Sequence, residues 1–426
     1  GRARACRYRG HAVYTNRTPA GALRGYGATQ GAFALESAMN ELAAKLGLDP
    51  IELRLHNLID PGASHPLPAG ATSGRPLVPA TGSLYRCIAR GRELIGWERK
   101  FPRVRVDADR VRGYGMAVSM QGSGIAGVDS ASVLLKLNDD GWFTLSHGAT
   151  DMGQGSDTVL AQIAAEVLEV ELGRIVVASF DLDTLPYDGG AYASSGAYVT
   201  GRATLEAAGD MVLQVRAAAA GMLGVPADEV RYAGGVCTAA DGREVGLEAL
   251  ARRLASFAGR GQLVSVGTFG SATSPPPFMA GFAEVEVDLR TGAVRLIDFV
   301  AVADCGRVLN PNLARLQAEG GLVMGIGLAL CEEVRENARG ALTTDSFLEY
   351  RIPSRLDVPP VRVEFVESEE PTGPFGAKSI GEIGCNTPAP AIAAAVANAV
   401  GVHCRRLPIT AEQVFLALHG GRMRED

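Results

Sequence analysis

The sequence lacks an excess of basic residues, and this excludes two classes of partner. Lys and Arg total 41 against 47 Asp and Glu, so the formal net charge is −6. No run of Lys or Arg stands out along the chain. Proteins whose main partner is nucleic acid or an anionic membrane attract it with clustered basic side chains. We therefore expect neither nucleic acid nor a membrane as the main partner.

Long apolar runs and patterned cysteines are also missing. No apolar stretch is uninterrupted and long enough to span a bilayer, and the first residues contain no apolar segment typical of a signal peptide. The seven cysteines are scattered and form no Cys-x-x-Cys pair. We therefore expect neither a disulfide framework nor an iron–sulfur site, and a cytoplasmic location is the default expectation.

The chain is long and rich in glycine. Its 426 residues exceed the usual size of one hydrophobic core, which predicts two or more domains. The composition, 47% hydrophobic and 21% charged, is that of an ordinary globular protein. The 53 glycines are spread through loops, which indicates many sharp turns or close approaches of the backbone.

Residues 1–61 predict the end of a first domain. Residues 11–14 (HAVY) have the pattern of a strand end, and a helix is expected near 30–46. Asp49 as N-cap, followed by Pro50, predicts a second helix. Residues 62–83, rich in Pro, Gly, Ser and Ala, are expected to be a linker to a second domain, 84–426. One apolar face of the first helix is predicted by the spacing of Leu35, Met39, Leu42 and Leu46.

The second domain is predicted to contain two related halves, about 84–260 and 270–415. Each half has a strand, an Asp-Gly or Thr-Gly turn, a second strand, a glycine-bearing loop and a helix. Such turns between alternating apolar runs are typical of β-hairpins, so the predicted fold class is α+β. A further helix near 202–222 is expected to bury a stripe formed by Leu205, Met211, Val215 and Met222.

Four glycine-bearing loops are candidates for ligand binding: LRGYG (23–27), DMGQGSDT (151–158), AYASSGAYVTG (191–201) and QAEGGLVMGIG (317–327). In the second loop, backbone N–H groups precede a helix N-terminus, which favours anionic groups. Tight turns and close helix packing are the more common explanation for any single loop. No GxxxxGK[ST] motif occurs, and no GxGxxG motif follows a strand, so nucleotide binding by those routes is not supported.

Glu382 stands between glycines, ahead of an alanine-rich stretch that is expected to be a buried helix (GAKSIGEIGCNTPAPAIAAAVANAVG). A carboxylate is costly to bury without a partner. It could be a structural acceptor at the helix N-terminus, but Thr387 or Asn386 as N-cap and Pro388 in the first turn already supply a cap. A functional and a structural role for Glu382 are therefore equally supported.

Taken together and in this order, the motifs resemble the molybdopterin-binding large subunit of the xanthine dehydrogenase family of molybdenum hydroxylases. The resemblance runs nearly from end to end. Within that family, the sequence most resembles members of the nicotinate dehydrogenase and purine hydroxylase type. It implies an elongated molybdopterin-binding domain of two hairpin-and-helix halves, preceded by the end of a first cofactor-binding domain. The segments that carry it are LRGYGATQGAFALESAMNELAAKLGLDPIELRLHNLI, TDMGQGSDTVLAQIAAEVL, AYASSGAYVTGRA, LNPNLARLQAEGGLVMGIG and GAKSIGEIGCNTPAPAIA.

The resemblance also implies a cofactor and a catalytic base. Molybdenum would be held by the dithiolene of molybdopterin or of its cytosine dinucleotide form, with no direct protein ligand to the metal. Glu382 would accept a proton while water-derived oxygen is added to an electron-poor carbon. The residues implied to contact the cofactor are Arg24, Gly25, Gly153, Gln154, Gly155, Ala193, Ser194, Ser195 and Gln317.

The same resemblance implies a substrate pocket. Tyr26 falls where relatives place an aromatic ring that packs on a ring substrate, and Met120, Gln121 and Gly122 would line the other side. This favours an N-heteroaromatic substrate of the purine or nicotinate kind. Gly25 stands where members that oxidise carbon monoxide carry a cysteine, which argues against that activity.

Partners and alternatives follow from what the chain does not contain. The earlier part of the large subunit, the [2Fe–2S] module and the FAD module have no counterpart in the sequence, so each is an expected partner. The chain is either a separately encoded piece of a split enzyme or a fragment of a longer one. An aldehyde-oxidising member, a non-catalytic assembly subunit and an unrelated α+β binding protein remain alternatives. Loss of Glu382 or Gln154 would favour the non-catalytic subunit, and both are present.

Overall fold

The computed structural model describes residues 7, 9–60, 62, 83–256 and 261–420. By contacts between residues, the chain divides into two compact units. The first unit comprises Gly1–Gln121, Pro276–Ser368 and Ile380–Asp426, and the second comprises Gly122–Pro275 and Glu369–Ser379. The predicted linker, 62–83, lies almost entirely outside the described residues, and the predicted domain bounds remain a prediction.

The described helices and strands form an α+β arrangement in which groups of helices and groups of strands follow one another along the chain. In chain order the helices are α1 (Ala28–Leu46), α2 (Pro50–Asn57), α3 (Ser83–Ile95), α4 (Trp97–Lys100), α5 (Ser156–Leu168), α6 (Gly201–Leu223), α7 (Leu247–Ala255), α8 (Pro311–Leu330), α9 (Pro388–Val400) and α10 (Ala411–Leu418). The strands are β1 (Arg103–Arg105), β2 (Arg110–Met120), β3 (Ser130–Leu137), β4 (Phe143–His147), β5 (Ile175–Ala178), β6 (Arg231–Ala233), β7 (Val236–Thr238), β8 (Glu244–Gly246), β9 (Val264–Gly270), β10 (Phe278–Asp288), β11 (Val294–Asp304) and β12 (Val361–Phe365).

A five-stranded sheet in the order β1-β2-β10-β11-β12 organises the first unit. Strand β10 is buried along almost its whole length, because helices cover both faces of the sheet. On one face Phe282 packs with Ile88 of α3 and with Trp97, and on the other Val285 belongs to the cluster that includes α8 and α9. The predicted β10–β11 hairpin forms around Gly292, which has a positive φ of 74°.

Helix α9 lies directly on β2 because β2 has glycines at the contact. A Cβ added at Gly113 would lie 2.0 Å from the carbonyl oxygen of Ala395, and one at Gly115 would lie 2.2 Å from that of Ala391. The alanine-rich helix predicted after Glu382 is therefore confirmed, and it is buried over most of its length.

The apolar face predicted for α1 is largely exposed within the described residues. Leu35, Leu42 and Leu46 are 63%, 44% and 57% exposed. The buried side of the helix lies about a quarter turn away, since successive residues are about 100° apart. Its buried residues are Thr29, Glu36 and Ala43.

A buried ion pair explains which side of α1 faces inward. Glu36 Oε2 accepts a hydrogen bond from Arg54 Nε at 2.8 Å and another from the backbone N–H of Val118 at 2.7 Å. One carboxylate thus joins α1, α2 and β2, and removing it would leave buried donors unsatisfied.

The strand predicted at 11–14 is wrong, since those residues form no strand and Val13 is 75% exposed.

The second unit contains a four-stranded sheet in the order β5-β4-β3-β9 and a three-stranded sheet in the order β6-β7-β8. The predicted β3–β4 hairpin is confirmed, with Gly141 at a positive φ of 84° in its turn. Helix α6 lies close on β9, where a Cβ at Gly267 would come 2.0 Å from the carbonyl oxygen of Ala203.

The buried stripe predicted for the helix near 202–222 is half confirmed by α6. Met211 and Val215 are fully buried, whereas Leu205 is half-buried and Met222 is 41% exposed. Small residues take the remaining inward positions, including Ala203 and Ala207, because the helix approaches the sheet too closely for larger side chains.

Helix α8 is apolar along most of its length, although Arg315, Gln317 and Glu319 interrupt its first half. Among the described residues, this one helix is long and apolar enough to cross a membrane by length and composition, with a mean hydropathy of 1.2. Its apolar residues have another explanation, because several belong to the core of the first unit, and core helices pass the same test. These residues are Ala318, Leu322, Ile326 and Ala329.

Candidate active site

Glu382 is buried in the first unit, as predicted, with 8% of its surface exposed. Its carboxylate oxygen Oε1 accepts a hydrogen bond from the backbone N–H of Gly25 at 3.1 Å. Gly25 precedes it by 357 positions in the sequence, so the contact joins the LRGYG loop to the Gly-Glu segment. A backbone donor gives part of the hydrogen bonding that a buried carboxylate requires.

Gly25 is required at this contact for two reasons. Its φ of +98° is one that other residues rarely adopt, and a Cβ would lie 2.2 Å from Thr29 Oγ1 and 3.0 Å from Asn386 Oδ1. The glycine therefore lets the backbone N–H reach Glu382 where a side chain would collide.

Arg24 joins the same loop to two further segments. Its Nε donates to the carbonyl oxygen of Gly381 at 2.6 Å, and its Nη2 donates to the carbonyl oxygen and Oε1 of Gln317 at 2.9 and 3.0 Å. Of the residues predicted to form the site, the structure thus brings Arg24, Gly25, Gln317 and Glu382 together. Their roles toward a cofactor remain predictions.

Asn386 belongs to this cluster, a role that the sequence does not reveal. Its side chain accepts from Thr29 Oγ1 at 3.0 Å and donates to Gln121 Oε1 at 3.1 Å. Thr387 occupies the N-cap position of α9 and Pro388 follows in the first turn, as one of the two predicted alternatives has it, but the Thr387 side chain makes no cap hydrogen bond. An Asn next to a helix start looks like a cap from sequence, so only distant contacts reveal this role.

Close helix packing explains the glycines of α8 in the QAEGGLVMGIG segment. A Cβ on Gly321 would lie 3.0 Å from the Cα of Gly384, and one on Gly325 would lie 2.7 Å from the ring of Pro388. A glycine inside a helix destabilises it by about 1 kcal/mol relative to alanine. At these positions glycine is needed because a side chain would keep α8 away from the segment that follows Glu382.

Cys385 lies three residues after Glu382 and is fully buried. Burial raises the pKa of its thiol to about 11, and the nearby positive charge of Arg24 lowers it only in part. The thiol is therefore protonated at neutral pH and is not a nucleophile. Glu382 is the candidate in this segment for proton transfer.

Two of the predicted substrate residues are exposed and stand next to residues of the cluster in sequence. Tyr26, next to Gly25, is 67% exposed, and Met120, next to Gln121, is 47% exposed. Gly122, the last residue of that prediction, falls in the second unit. Exposed Tyr and Met side chains are suited to contact an apolar ring.

The GQG loop lies in the second unit, at the start of α5. The carboxylate of Asp151 accepts from the backbone N–H of Gly153 at 2.8 Å, of Gly155 at 3.2 Å and of Asp157 at 3.2 Å. Burial raises the pKa of Asp151, but these three amides outweigh it and leave the pKa below its usual value. The anion position that the sequence predicts at this helix is therefore filled by the chain's own carboxylate.

Gln154 is held within the same loop. Its Nε2 donates to the carbonyl oxygen of Thr150 at 2.8 Å and to Ser156 Oγ at 3.1 Å, while its Oε1 accepts from the backbone N–H of Met152 at 2.6 Å. An amide oxygen has two acceptor sites, so Oε1 retains one for a ligand. The cofactor contacts predicted for Gly153, Gln154 and Gly155 remain predictions.

The segment Ala193–Ser195, also in the second unit, has unusual backbone geometry. Ala193 and Ser194 have φ values of 49° and 58°, in the left-handed region that costs roughly 1–2 kcal/mol per non-glycine residue. Ser195 donates its hydroxyl to the carbonyl oxygen of Gly190 at 3.0 Å. Strain of this kind concentrates at ligand-binding segments, and the cofactor role predicted for this loop stays a prediction.

Within the described residues, no group of three or more His, Cys, Asp or Glu side chains could hold a metal ion.

The comparisons with known proteins give the family. The chain matches the molybdopterin cofactor-binding domain over residues 90–400 and a second family model of the same description over residues 2–58. The chain therefore belongs to the molybdopterin cofactor-binding domain family, and the resemblance inferred from its motifs is confirmed.

Two curated relatives come from Escherichia coli strain K12. The chain is 38% identical to "Probable hypoxanthine oxidase XdhD", covering 95% of this chain and 43% of that protein. It is 35% identical to "Putative xanthine dehydrogenase molybdenum-binding subunit XdhA", covering 97% of this chain and 55% of that protein. The chain therefore spans about half the length of these relatives.

A solved structure agrees with the predicted fold class. Quinoline 2-oxidoreductase from Pseudomonas putida 86 superposes with a TM-score of 0.84 at 28% identity, covering 95% of this chain and 54% of that chain. The α+β, molybdopterin-binding fold is thus confirmed.

Proposed function

We propose that the chain is the molybdopterin-binding portion of a molybdenum hydroxylase that oxidises a carbon of a purine- or nicotinate-like ring with water as the oxygen source. The observation that carries this proposal is the buried Glu382, held by the backbone of Gly25 across 357 positions of sequence. A buried, positioned carboxylate is what proton abstraction requires.

Glu382 is the base in this proposal. Hydroxylation converts a C–H bond and one water into a C–OH group, two electrons and two protons. When bound, the molybdenum cofactor supplies the acceptor for the two electrons and activates the water-derived oxygen. Glu382 accepts one proton on its carboxylate, and the Gly25 N–H fixes Oε1 so that the group is already oriented.

The residues present fit a pterin cofactor. A pterin ring offers amide-like donors and acceptors, which match the side chains of Gln317 and Gln154 and the backbone groups of glycine loops. Gly27 and Gly153 leave open space at their Cα atoms, where a Cβ would meet no atom within 4 Å. In the first unit, Gln317 and Gly25 are the proposed cofactor contacts. In the second unit, the same role is proposed for Gln154 and Ala193–Ser195, since the N–H groups of Gly153 and Gly155 already donate to Asp151. The cytosine dinucleotide form is part of this proposal.

Tyr26 and Met120 are proposed to contact the substrate ring. Both are exposed and adjacent in sequence to residues of the Glu382 cluster. The names of the two Escherichia coli relatives, a probable hypoxanthine oxidase and a putative xanthine dehydrogenase subunit, support a purine-like ring.

A substrate screen in labelled water tests the proposal. The assembled protein is incubated with hypoxanthine, xanthine, nicotinate and benzaldehyde in H₂¹⁸O, and its molybdenum content is measured. We expect molybdenum to be bound and one ¹⁸O atom to enter a purine or nicotinate product. Oxidation of benzaldehyde alone would establish the aldehyde-oxidising alternative. Molybdenum-loaded protein that oxidises none of them would contradict the proposed substrate class.

We propose that the partners are the remaining part of the large subunit, a [2Fe–2S] subunit and an FAD subunit, assembled in the cytoplasm. The relative XdhA is named as a molybdenum-binding subunit, which supports a multi-subunit enzyme. Electrons released at the active site need carriers on such partners, since the chain has no cysteine pattern for an iron–sulfur cluster.

The exposed leucine stripe of α1, formed by Leu35, Leu42 and Leu46, is proposed to bind the remaining part of the large subunit. The relatives are about twice as long as this chain, and a stripe of exposed leucines is typical of a surface covered by another polypeptide.

Serine substitutions in this stripe test the partner proposal. Burying a leucine contributes about 1.5–3 kcal/mol, so the double variant Leu35→Ser, Leu42→Ser is expected to weaken assembly by about a hundredfold or more. Size-exclusion chromatography of the co-expressed subunits measures this. Leu213→Ser on α6, which is 60% exposed, is the control and should assemble normally. Normal assembly of the double variant would remove the stripe from the interface.

A further inference from the structure

We infer that Arg24 is a positioning residue for Glu382, an inference that rests on the proposed function. The sequence resemblance implies that Arg24 contacts the cofactor. The geometry assigns its guanidinium a different task, which is to hold the backbone beside the carboxylate and to fix that segment against α8.

The hydrogen bonds of Arg24 account for most of its donors. A guanidinium has five N–H groups. Nε uses one on Gly381, Nη2 uses two on Gln317, and Nη1 lies 4.0 Å from the sulfur of Met324. A paired contact with a phosphate or a pterin edge needs two parallel N–H groups on one side of the fork. With Nε and Nη2 occupied, Arg24 has no such pair left.

The acceptors of Arg24 are placed to control the position of Glu382. The carbonyl of Gly381 belongs to the peptide unit that leads into Glu382, so the 2.6 Å bond from Nε restricts the backbone there. The next residue after Arg24, Gly25, donates to Glu382 Oε1. One loop therefore holds Glu382 twice, through its backbone and through its carboxylate.

The contact with Gln317 attaches Arg24 to helix α8. Gln317 lies on α8, a core helix, and both its backbone carbonyl and its side chain accept from Nη2. Arg24 thus connects the Glu382 segment to a rigid element across 293 positions of sequence. Catalytic groups misplaced by about 1 Å can lose about a hundredfold in rate, which sets the scale of the expected effect.

Kinetics of the assembled enzyme give the first test. Arg24→Met is expected to lower kcat per bound molybdenum about a hundredfold, with little change in KM or in molybdenum content. Arg24→Lys, which keeps a charge and donors but not the fork, should recover part of that loss. Arg315→Met, an exposed arginine two residues before Gln317 on α8, is the control and should resemble the wild type. A loss of molybdenum with unchanged kcat per molybdenum would overturn the inference in favour of cofactor binding.

A double-variant cycle separates positioning from a general structural effect. If Arg24 acts through Glu382, then adding Arg24→Met to Glu382→Gln should lower kcat by less than about threefold further. A full hundredfold further loss would show that Arg24 acts on something else.

Hydrogen exchange gives a readout that does not depend on activity. The amides of Cys385 and Asn386 donate to the carbonyl oxygens of Glu382 and Ile383, so their exchange reports on this segment. Arg24→Met should speed their exchange at least about tenfold, and Arg315→Met should not. Unchanged exchange would overturn the inference whatever the activity. Faster exchange in a protein whose wild type hydroxylates nothing would leave the positioning intact and refute the proposed function.

Discussion

Glu382→Gln in the assembled enzyme is expected to lower kcat by about 10²- to 10⁴-fold, the range supplied by general-base catalysis, while molybdenum content stays near normal. Glutamine has the size of glutamate, and its amide oxygen can still accept the N–H of Gly25, which now lies 3.1 Å from Oε1. The segment should therefore keep its position, and what the variant loses is a group that can take up a proton. Steady-state turnover per bound molybdenum measures the effect.

A matched control separates this chemistry from a general change of charge. Glu412→Gln alters an exposed glutamate on α10 in the same unit and should leave turnover unchanged. Turnover by Glu382→Gln within about threefold of the wild type would remove Glu382 from the mechanism. Loss of molybdenum in that variant would instead indicate that the carboxylate supports cofactor binding.

Features that depend on neighbouring residues could be predicted from the sequence. The cap of α2 is confirmed, since Asp49 accepts from the backbone N–H of Ile51 at 2.7 Å. The two hairpins formed where Gly141 and Gly292 permit positive φ. In each case the determining interaction spans a few positions, so the local pattern contains it.

Features that depend on distant residues could not be predicted in the same way. The leucines of α1 have a helical period, but the buried pair of Glu36 with Arg54 decides which side faces inward. At the start of α5 the pattern favours an anion, but it does not reveal that Asp151 fills the position.

The candidate site shows the same division. The resemblance predicted which loops matter, and Glu382 is buried as expected. The contacts of Arg24 with Gly381 and Gln317 cross 357 and 293 positions of sequence. No periodicity encodes such a contact, and the same holds for the contacts of Asn386 with Thr29 and Gln121.

Gly115→Ala is expected to destabilise the first unit by about 3 kcal/mol or more, the upper range for overpacking a core. The added Cβ would lie 2.2 Å from the carbonyl oxygen of Ala391 and 2.3 Å from the backbone nitrogen of Ala395, and neither atom can turn aside as a flexible side chain could. Helix α9 would have to move off β2. Because α9 begins at Pro388, six residues after Glu382, activity should fall together with stability.

Gly31→Ala is the matched control, because the same substitution is expected to raise the free energy of unfolding there rather than lower it. Gly31 lies within α1, and a Cβ at this position would meet no atom within 4 Å. Alanine is favoured over glycine inside a helix by about 1 kcal/mol, so this variant should be as stable as the wild type or more so. Urea unfolding is followed by tryptophan fluorescence in a Trp142→Phe background, which leaves Trp97, buried in the core of the first unit, as the reporter. Equal midpoints for Gly115→Ala and the wild type would mean that α9 does not rest on β2, and the support for the Glu382 segment would then have to come from elsewhere in the fold.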